Sequence, residues 1–291
     1  MSGLVMMFHL VLDRLARHEQ VRVPEPALVM EDPAKVEAFM RAGREDGILA
    51  FTYVYNALQT LSLIRPGDTV LDLACGPANQ LGVMASLHPQ AQFIGLDASA
   101  AMLEHGQATL ARQQLDNMRL LQGDICRLEE FADASIDVVT STLSLHHLPD
   151  LAALEACFRE LRRVLRPGGG VLLIDFGRLR RRQTQEFFAT DRADLQPELF
   201  TEDYRHSLRA AFSEPELRQL APVLGPDVSL HRTWMAPFML ALRSPPRWLP
   251  DAPAEVRARQ LISRLQPAQR RDLLDYARFF HFGGMAMPMA I

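Results

Sequence analysis

The chain reads as an α/β protein, a mostly parallel sheet with helices on both faces. Three observations predict this. Short apolar runs at 69–73, 92–97, 118–122, 136–141 and 170–176 alternate with helical patterns at 79–87, 99–115 and 150–165, and such alternation builds parallel sheets. The first run, Thr69-Val70-Leu71-Asp72-Leu73, ends in Ala74-Cys75-Gly76-Pro77-Ala78 before a helix begins near Gln80. Ala74, Gly76 and Ala78 carry little or no side chain, so backbone N–H groups there can approach a ligand. The strict G-x-G-x-x-G is absent, and alone this turn is a weak signal. The third observation is Asp97, which closes Phe93-Ile94-Gly95-Leu96-Asp97. It lies about 20 residues beyond the turn, where nucleotide-binding α/β folds place a ribose-binding carboxylate. Two ordinary strand ends, with Asp97 or Ser99 as an N-cap, are the plainer alternative.

Composition bounds the rest. The chain has 291 residues, 48% hydrophobic and 23% charged, as expected of a globular protein with a substantial core. A net charge of −4 argues against a general binder of nucleic acid or anionic membrane. Cys75, Cys126 and Cys157 are odd in number and widely spaced, unlike a disulfide framework, so the cytoplasm is the expected compartment. No apolar run is long enough to span a bilayer. Residues 3–12 are apolar but lack a basic leader and a cleavage site, and read as an amphipathic helix.

In chain order, a helix is expected at 4–19, a break at Pro24 and Pro26, and a helix from Ala34 to Gly43 with Pro33 in its first turn. A longer helical pattern runs from Glu45 to Leu63. Arg65-Pro66-Gly67-Asp68 turns the chain into the first strand, and Arg166-Pro167-Gly168-Gly169-Gly170 turns it into the fifth. Helical stretches follow at 184–190 and 201–223, then two strands at 228–233 and 238–242. Beyond a proline-rich linker, helices are expected near 252–264 and 267–281, before a tail with Met285, Met287 and Met289.

Val70-Leu71-Asp72-Leu73-Ala74-Cys75-Gly76-Pro77, Gly95-Leu96-Asp97-Ala98-Ser99 and Gln122-Gly123-Asp124-Ile125 together resemble the class I S-adenosylmethionine-dependent methyltransferases. In order and spacing the chain is similar to the small-molecule branch that includes ubiquinone and menaquinone C-methyltransferases. The likeness covers roughly 65–244, with the family's glycines loosened to Ala74 and Ala78. It implies a Rossmann-like methyltransferase fold, a seven-stranded, mostly parallel sheet with an antiparallel last strand. Residues 1–64 would then be a helical cap, 65–244 the S-adenosylmethionine-binding core and 245–291 a helical extension with an apolar tail.

Ligands of open α/β sheets bind at the carboxyl ends of the strands. By resemblance, Ala74, Gly76 and their neighbours line the methionine part of S-adenosylmethionine, Asp97 and Ala98 meet the ribose, and Asp124 and Ile125 flank the adenine. An ionised Asp97 can accept two hydrogen bonds at once, which suits a diol. Asp72 is expected to steady the loop or a water near the cofactor's ammonium group. Ser141 opens Ser141-Thr142-Leu143-Ser144-Leu145-His146-His147-Leu148-Pro149, which in such enzymes faces sulfonium and substrate. His146 and His147 are candidate bases for a phenol or alcohol, against a role in bonding backbone. Phe51 and Tyr55, four apart, share a helix face and are candidate substrate contacts, whereas Tyr53 points elsewhere; ordinary packing is the alternative. Arg178, Arg180, Arg181 and Arg182 are candidates for binding an anionic substrate or a nucleic-acid phosphate, with a solvated helix start as the plainer reading. No acidic ligand stands at the fourth strand end, so no metal is expected. The Met-rich tail reads as a plug for the pocket or an oligomer contact.

The expectation is a methyltransferase that moves the methyl group of S-adenosylmethionine to a small, partly apolar molecule by in-line displacement, with O, N, S or C as acceptor and a homodimer through the terminal helices. Methylation of tRNA or protein is one alternative. A non-catalytic cofactor-binding regulator or partner subunit is the other.

Overall fold

Strands of Val, Leu and Ile buried on both faces make the centre of the molecule, as a parallel sheet requires. The computed structural model describes residues 3–43 and 47–291. Its strands are β1 Thr69–Leu73, β2 Gln92–Asp97, β3 Met118–Gln122, β4 Ile136–Thr142, β5 Leu165–Phe176, β6 Ser229–Arg232 and β7 Met239–Arg243. They form one seven-stranded sheet in the order β3-β2-β1-β4-β5-β7-β6. β1 to β5 run parallel, and β7 lies antiparallel between β5 and β6. The strand order reverses between β1 and β4, so the crevice for a ligand falls at their carboxyl ends.

The helices are α1 Gly3–Leu15, α2 Pro33–Ala42, α3 Ala50–Thr60, α4 Asn79–Leu87, α5 Ala100–Gln113, α6 Leu151–Val164, α7 Arg182–Thr190, α8 Glu198–Ala210, α9 Glu214–Leu224, α10 Ala252–Arg264 and α11 Pro267–Phe282. α3, α4, α10 and α11 supply the core on one sheet face; α6 and α9 supply it on the other. No described helix is long and apolar enough to cross a membrane.

Four departures from the sequence reading have physical causes. The stretch 201–223 is two helices, because Ser213 and Glu216 form a reciprocal capping box that starts α9 afresh. β5 begins at Leu165 rather than 170, since Ile136 pairs with Leu165 and Val138 with Gly170, bulging the Pro-Gly-Gly run out of the ladder. The pattern at 45–63 becomes a helix only from Ala50; its expected start at Glu45 lies outside the described residues. The Met-rich tail packs into the core behind α3: Met285 and Met289 are buried, and Gln59 contacts the Met287 sulfur at 3.2 Å. It lines neither of the two large cavities, so it is not a pocket plug.

Between α1 and α2, residues 16–32 carry no helix or strand. This strap is pinned by Arg22, whose guanidinium donates to the carbonyls of Ala210, His146, Leu148 and Pro149. The same group lies 4.0 Å above the Phe212 ring, a cation–π contact. The strap is thereby held against the loop that follows β4.

Candidate active site

The turn after β1 is shaped by backbone. Ala74, Gly76 and Ala78 all adopt the left-handed conformation, at φ 49°, 52° and 59°. For the two alanines this costs roughly 1–2 kcal/mol each, strain of the kind that collects at functional sites. The Cys75 N–H donates to the Leu96 carbonyl at 3.0 Å. The Gly76 N–H donates to Asp97 Oδ2 at 2.7 Å, and the Ser99 N–H to Asp97 Oδ1 at 2.9 Å. Asp97 thus ties the turn to β2 while keeping lone pairs free. Gly95 lets the turn sit on β2, since a Cβ there would come within 2.7 Å of the Cys75 sulfur. Burial pushes the Cys75 thiol well up, so this residue packs and is no nucleophile.

A cavity of about 610 Å³ opens above this turn. Asp72, Ala74, Gly76, Asp97, Ala98, Asp124 and Ile125 all line it. Asp124 Oδ1 accepts from the Cys126 N–H at 2.8 Å, which fixes the loop after β3. Burial pushes the Asp72 carboxyl up to about 7, the Thr140 hydroxyl pulling against it and Asp97 adding to it; Thr140 donates to Asp72 at 2.6 Å. Two expected assignments change. Ser141 does not line the cavity: its hydroxyl is buried against the Leu73 carbonyl and Ser144 Oγ, because its β-strand alternation points it into the loop's own support. Tyr53 does line it, since α3 crosses the strand ends with that face inward, and Gln80 donates to its carbonyl at 3.1 Å.

The residues fit S-adenosylmethionine on structural grounds. Asn79 lines the cavity with a buried amide nitrogen that has no partner, a donor awaiting an acceptor such as a carboxylate. A Cβ at Gly76 would meet nothing nearer than 3.9 Å, so the turn leaves room for a ligand against its backbone. Asp72 is a buried carboxylate whose hydrogen bond comes from a neutral hydroxyl, and it suits an ammonium group.

A second cavity of about 350 Å³ adjoins the first. Met30, Phe39, Leu143 and His147 line both. Leu143 sits at φ 53°, an uncommon conformation for a leucine, and holds the divide between them. Phe51, Phe176, Phe200, Tyr204 and Tyr276 wall the second cavity. Tyr55 does not reach it: it is fully buried, stacked on Phe280 at 5.3 Å and edge-on to Tyr276 at 4.7 Å. Phe51 and Tyr55 share the α3 face that meets α11, and only Phe51, nearer the strand ends, opens onto space.

The two histidines occupy a short 3-10 turn, Leu145–His147, and differ sharply. Asp175, at the carboxyl end of β5, accepts from the His146 backbone N–H at 2.8 Å and bonds its Nδ1 at 2.7 Å. Burial disfavours charge on His146, but Asp175, then Glu25 and Asp203, outweigh it and raise its pKa. Its Nε2 lies 4.0 Å from Glu25 of the strap, beyond hydrogen-bond distance. His147 is held down to about 3 by burial and by His146, so it is neutral, and its Nδ1 is buried without a partner. Asp175 lay in plain sight as a carboxylate at a strand end, the position at which ligands are sought. Nothing local in the sequence marks Glu25.

The arginine run lines neither cavity. Arg178 is buried and pairs with Glu216 at 3.0 Å. The N–H groups of Arg180 and Arg181 donate to Asp13 of α1. These residues pin α1 and α9 beside β5.

Residues 70–169 match the family described as a methyltransferase domain. Over 205 residues the chain is 32% identical to an uncharacterized 37.1 kDa protein of transposon Tn4556 from Streptomyces fradiae, a match covering 64% of this chain and 57% of that protein. It is 44% identical over 112 residues to trans-aconitate 2-methyltransferase of Deinococcus radiodurans, covering 38% of this chain and 39% of that enzyme. It is 37% identical over 120 residues to demethylmenaquinone methyltransferase of Listeria monocytogenes, covering 40% and 49%. The chain thus spans about half the length of the curated relatives it matches. Two solved structures share the fold. One is a SAM-dependent methyltransferase from Aquifex aeolicus, with a TM-score of 0.53 and 16% identity over 73% of this chain and 97% of that one. The other is the plantazolicin methyltransferase BamL, with a TM-score of 0.55 and 15% identity over 82% and 87%. Residues 70–169 thus match a methyltransferase domain, carried on a seven-stranded sheet whose fold is shared with solved S-adenosylmethionine-dependent methyltransferases.

Proposed function

We propose that this chain transfers the methyl group of S-adenosylmethionine to a small, partly apolar molecule. The observation that carries this reading is the pair of adjoining cavities that share Leu143, His147, Met30 and Phe39. One suits the cofactor and the other an aromatic-sized acceptor. When bound, S-adenosylmethionine supplies an electrophilic methyl group. The protein's task is to hold acceptor and methyl in line and exclude water. Asp97 would hold the ribose, Asp124 and Ile125 the adenine, and Asp72 and Asn79 the amino-acid end. The strap residues Leu28, Val29 and Met30 cover the site. His146, oriented by Asp175, takes a proton from the acceptor at Nε2, and the carboxylates around it raise its pKa and make it a stronger base. Neutral His147 shapes the passage between the cavities.

The tail does not obstruct either cavity, which favours catalysis over a regulator whose pocket is permanently blocked. The buried acceptor space, walled by α8 and α11, favours a small molecule over tRNA or protein. A cytoplasmic location is consistent with three free cysteines. A dimer would use α1, whose Leu4, Phe8 and Leu15 are exposed. Light scattering of the purified protein tests the dimer: a monomer mass at tens of micromolar would exclude it.

Calorimetric titration with S-adenosylmethionine and S-adenosylhomocysteine tests the reading itself. Micromolar binding of either is expected. Absence of both would overturn it.

A further inference from the structure

We propose that the acceptor is an apolar amine, held between His146, Glu25 and Asp203, whose nitrogen receives the methyl group. This rests on the methyltransferase reading above and names the substrate class of that same site.

The charge of the second cavity is one ground. Asp191, Asp203, Asp272 and Asp275 line it against Arg192. Arg192 is taken by Asp272 at 2.8 Å and Asp191 at 3.9 Å, and Asp275 by Arg278 at 2.9 Å. Asp203 makes no close ion pair among the described residues; Lys35, His146 and His206 are the basic groups whose charge acts on it. Glu25 does not line the cavity itself but lies against His146 and Ser207, which do; its side chain is 3% exposed and is anchored by the Ser207 hydroxyl at 2.9 Å. A space with spare acid and aromatic walls attracts a cation through carboxylates and ring faces together. It disfavours a polycarboxylate. Independently, Tyr276 offers a buried hydroxyl without a partner on the same cavity, a further acceptor for an N–H.

The second ground is geometry. His146 Nε2 and Glu25 Oε1 stand 4.0 Å apart. Two hydrogen bonds of about 2.8–2.9 Å that span this gap meet at about 90°, narrower than the ~109° between two N–H bonds on one tetrahedral nitrogen, a difference that slightly bent hydrogen bonds absorb. A hydroxyl has one hydrogen and cannot donate to both. Glu25, His146 and His147 also have ligand atoms within 4.8 Å of one another, the composition of a metal site. A tetrahedral zinc with bonds near 2.0–2.1 Å would set its ligands about 3.4 Å apart and a tetrahedral ammonium its acceptors about 4.6 Å apart, so the 4.0 Å gap lies between the two, and chelation with EDTA separates them. Glu25 is also fixed in place, since Pro24 and Pro26 flank it and Arg22 pins the strap.

The step balances. The substrate binds as an ammonium ion. His146 takes one proton, and the N–H electron pair stays on nitrogen. That pair forms the N–CH3 bond as the C–S bond of S-adenosylmethionine breaks toward sulfur. The products are S-adenosylhomocysteine and a methylammonium that keeps one positive charge, and the proton leaves His146 for solvent.

Three matched probes test this: 2-(1-naphthyl)ethylamine, 2-(1-naphthyl)ethanol and 1-naphthylacetic acid. Each is titrated calorimetrically into full-length protein saturated with S-adenosylhomocysteine. The amine is expected to bind at least ~tenfold more tightly than the alcohol, with the acid weakest. Glu25→Gln and Asp203→Asn should each cost the amine about tenfold, leaving the alcohol and S-adenosylhomocysteine unchanged. Mass spectrometry after incubation with S-adenosylmethionine should show the N-methylated amine. The proposal is overturned if the alcohol or acid binds best, or if the amine does not bind. It is also overturned if both variants bind amine like the parent, or if transfer stops with EDTA and returns with zinc. A protein that binds no S-adenosylhomocysteine at all would instead remove the methyltransferase reading.

Discussion

The two cavities are built in opposite ways. The cofactor cavity takes one half of its lining from backbone and strand ends between Asp72 and Ile125, with the alanine-glycine turn at its centre, and is closed by the strap, Tyr53 of α3 and the loop after β4. The acceptor cavity is made of side chains from segments far apart: the strap, α3, the loop after β4, α8 and α11. A site made of backbone tolerates changes of residue while the turn keeps its shape. A site made of converging side chains depends on each one, and on the tertiary packing that brings them together.

The largest break in this contrast should come from His146→Ala. Loss of a positioned base is expected to lower kcat about 10²–10⁴-fold, with S-adenosylhomocysteine affinity unchanged by calorimetry; loss of both would move His146 to the cofactor side. Asp175→Asn sharpens the same point. His146 faces Asp175, Glu25, Asp203 and His147. Because Asp175 raises the His146 pKa, removing its charge should shift the rising limb of the pH–rate profile to lower pH. An unmoved limb would mean that a different group titrates.

Next in size is Asp97→Ala, which should weaken S-adenosylmethionine binding more than ~tenfold, since it removes a buried charged acceptor. Amine binding to any protein still loaded with cofactor product should change little. Asp72 predicts a milder, pH-dependent effect. Its carboxyl is pushed up to about 7 by burial, with Thr140 and Asp97 facing it. A cationic ligand binds the ionised form, so S-adenosylmethionine affinity should rise as pH increases through 7, with proton release visible in buffers of different ionisation enthalpy. Asp72→Asn should flatten that dependence.

The smallest effect tests the backbone-built half. Ala78 is buried and left-handed, so in Ala78→Gly the relief of roughly 1 kcal/mol of strain offsets the lost methyl. Stability by urea unfolding should change by less than about 0.5 kcal/mol. Ala85→Gly, buried in the interior of α4, should cost about 1 kcal/mol or more. Equal costs for the two would mean that the turn stores no strain.

Much of the fold was legible because it is local. β1, β2, β3, α4 and α10 have the bounds that periodicity and turn residues predict. The capping box at Ser213 and Glu216 is equally local, a Ser-x-x-Glu spacing that divides 201–223 into two helices. The side chains of the acceptor site were not legible in the same way. Phe51 and Tyr55 share a face in any helical reading, yet one opens onto a cavity and the other is sealed under α11. Tyr53, on the other face, meets the cofactor cavity instead.

By itself, then, the sequence determined where strands, helices and the tight turn lie and which strand ends carry carboxylates, since periodicity and side-chain size act through neighbours in the chain. Only the tertiary structure decided that Asp175 would orient His146, that Glu25 of a strap without regular structure would face it across 4.0 Å, and that α11 would close the aromatic wall. Those contacts join residues separated by 29 and by more than a hundred positions. No local preference encodes which distant segments meet; that is settled by burying the apolar faces of α3, α8 and α11 together.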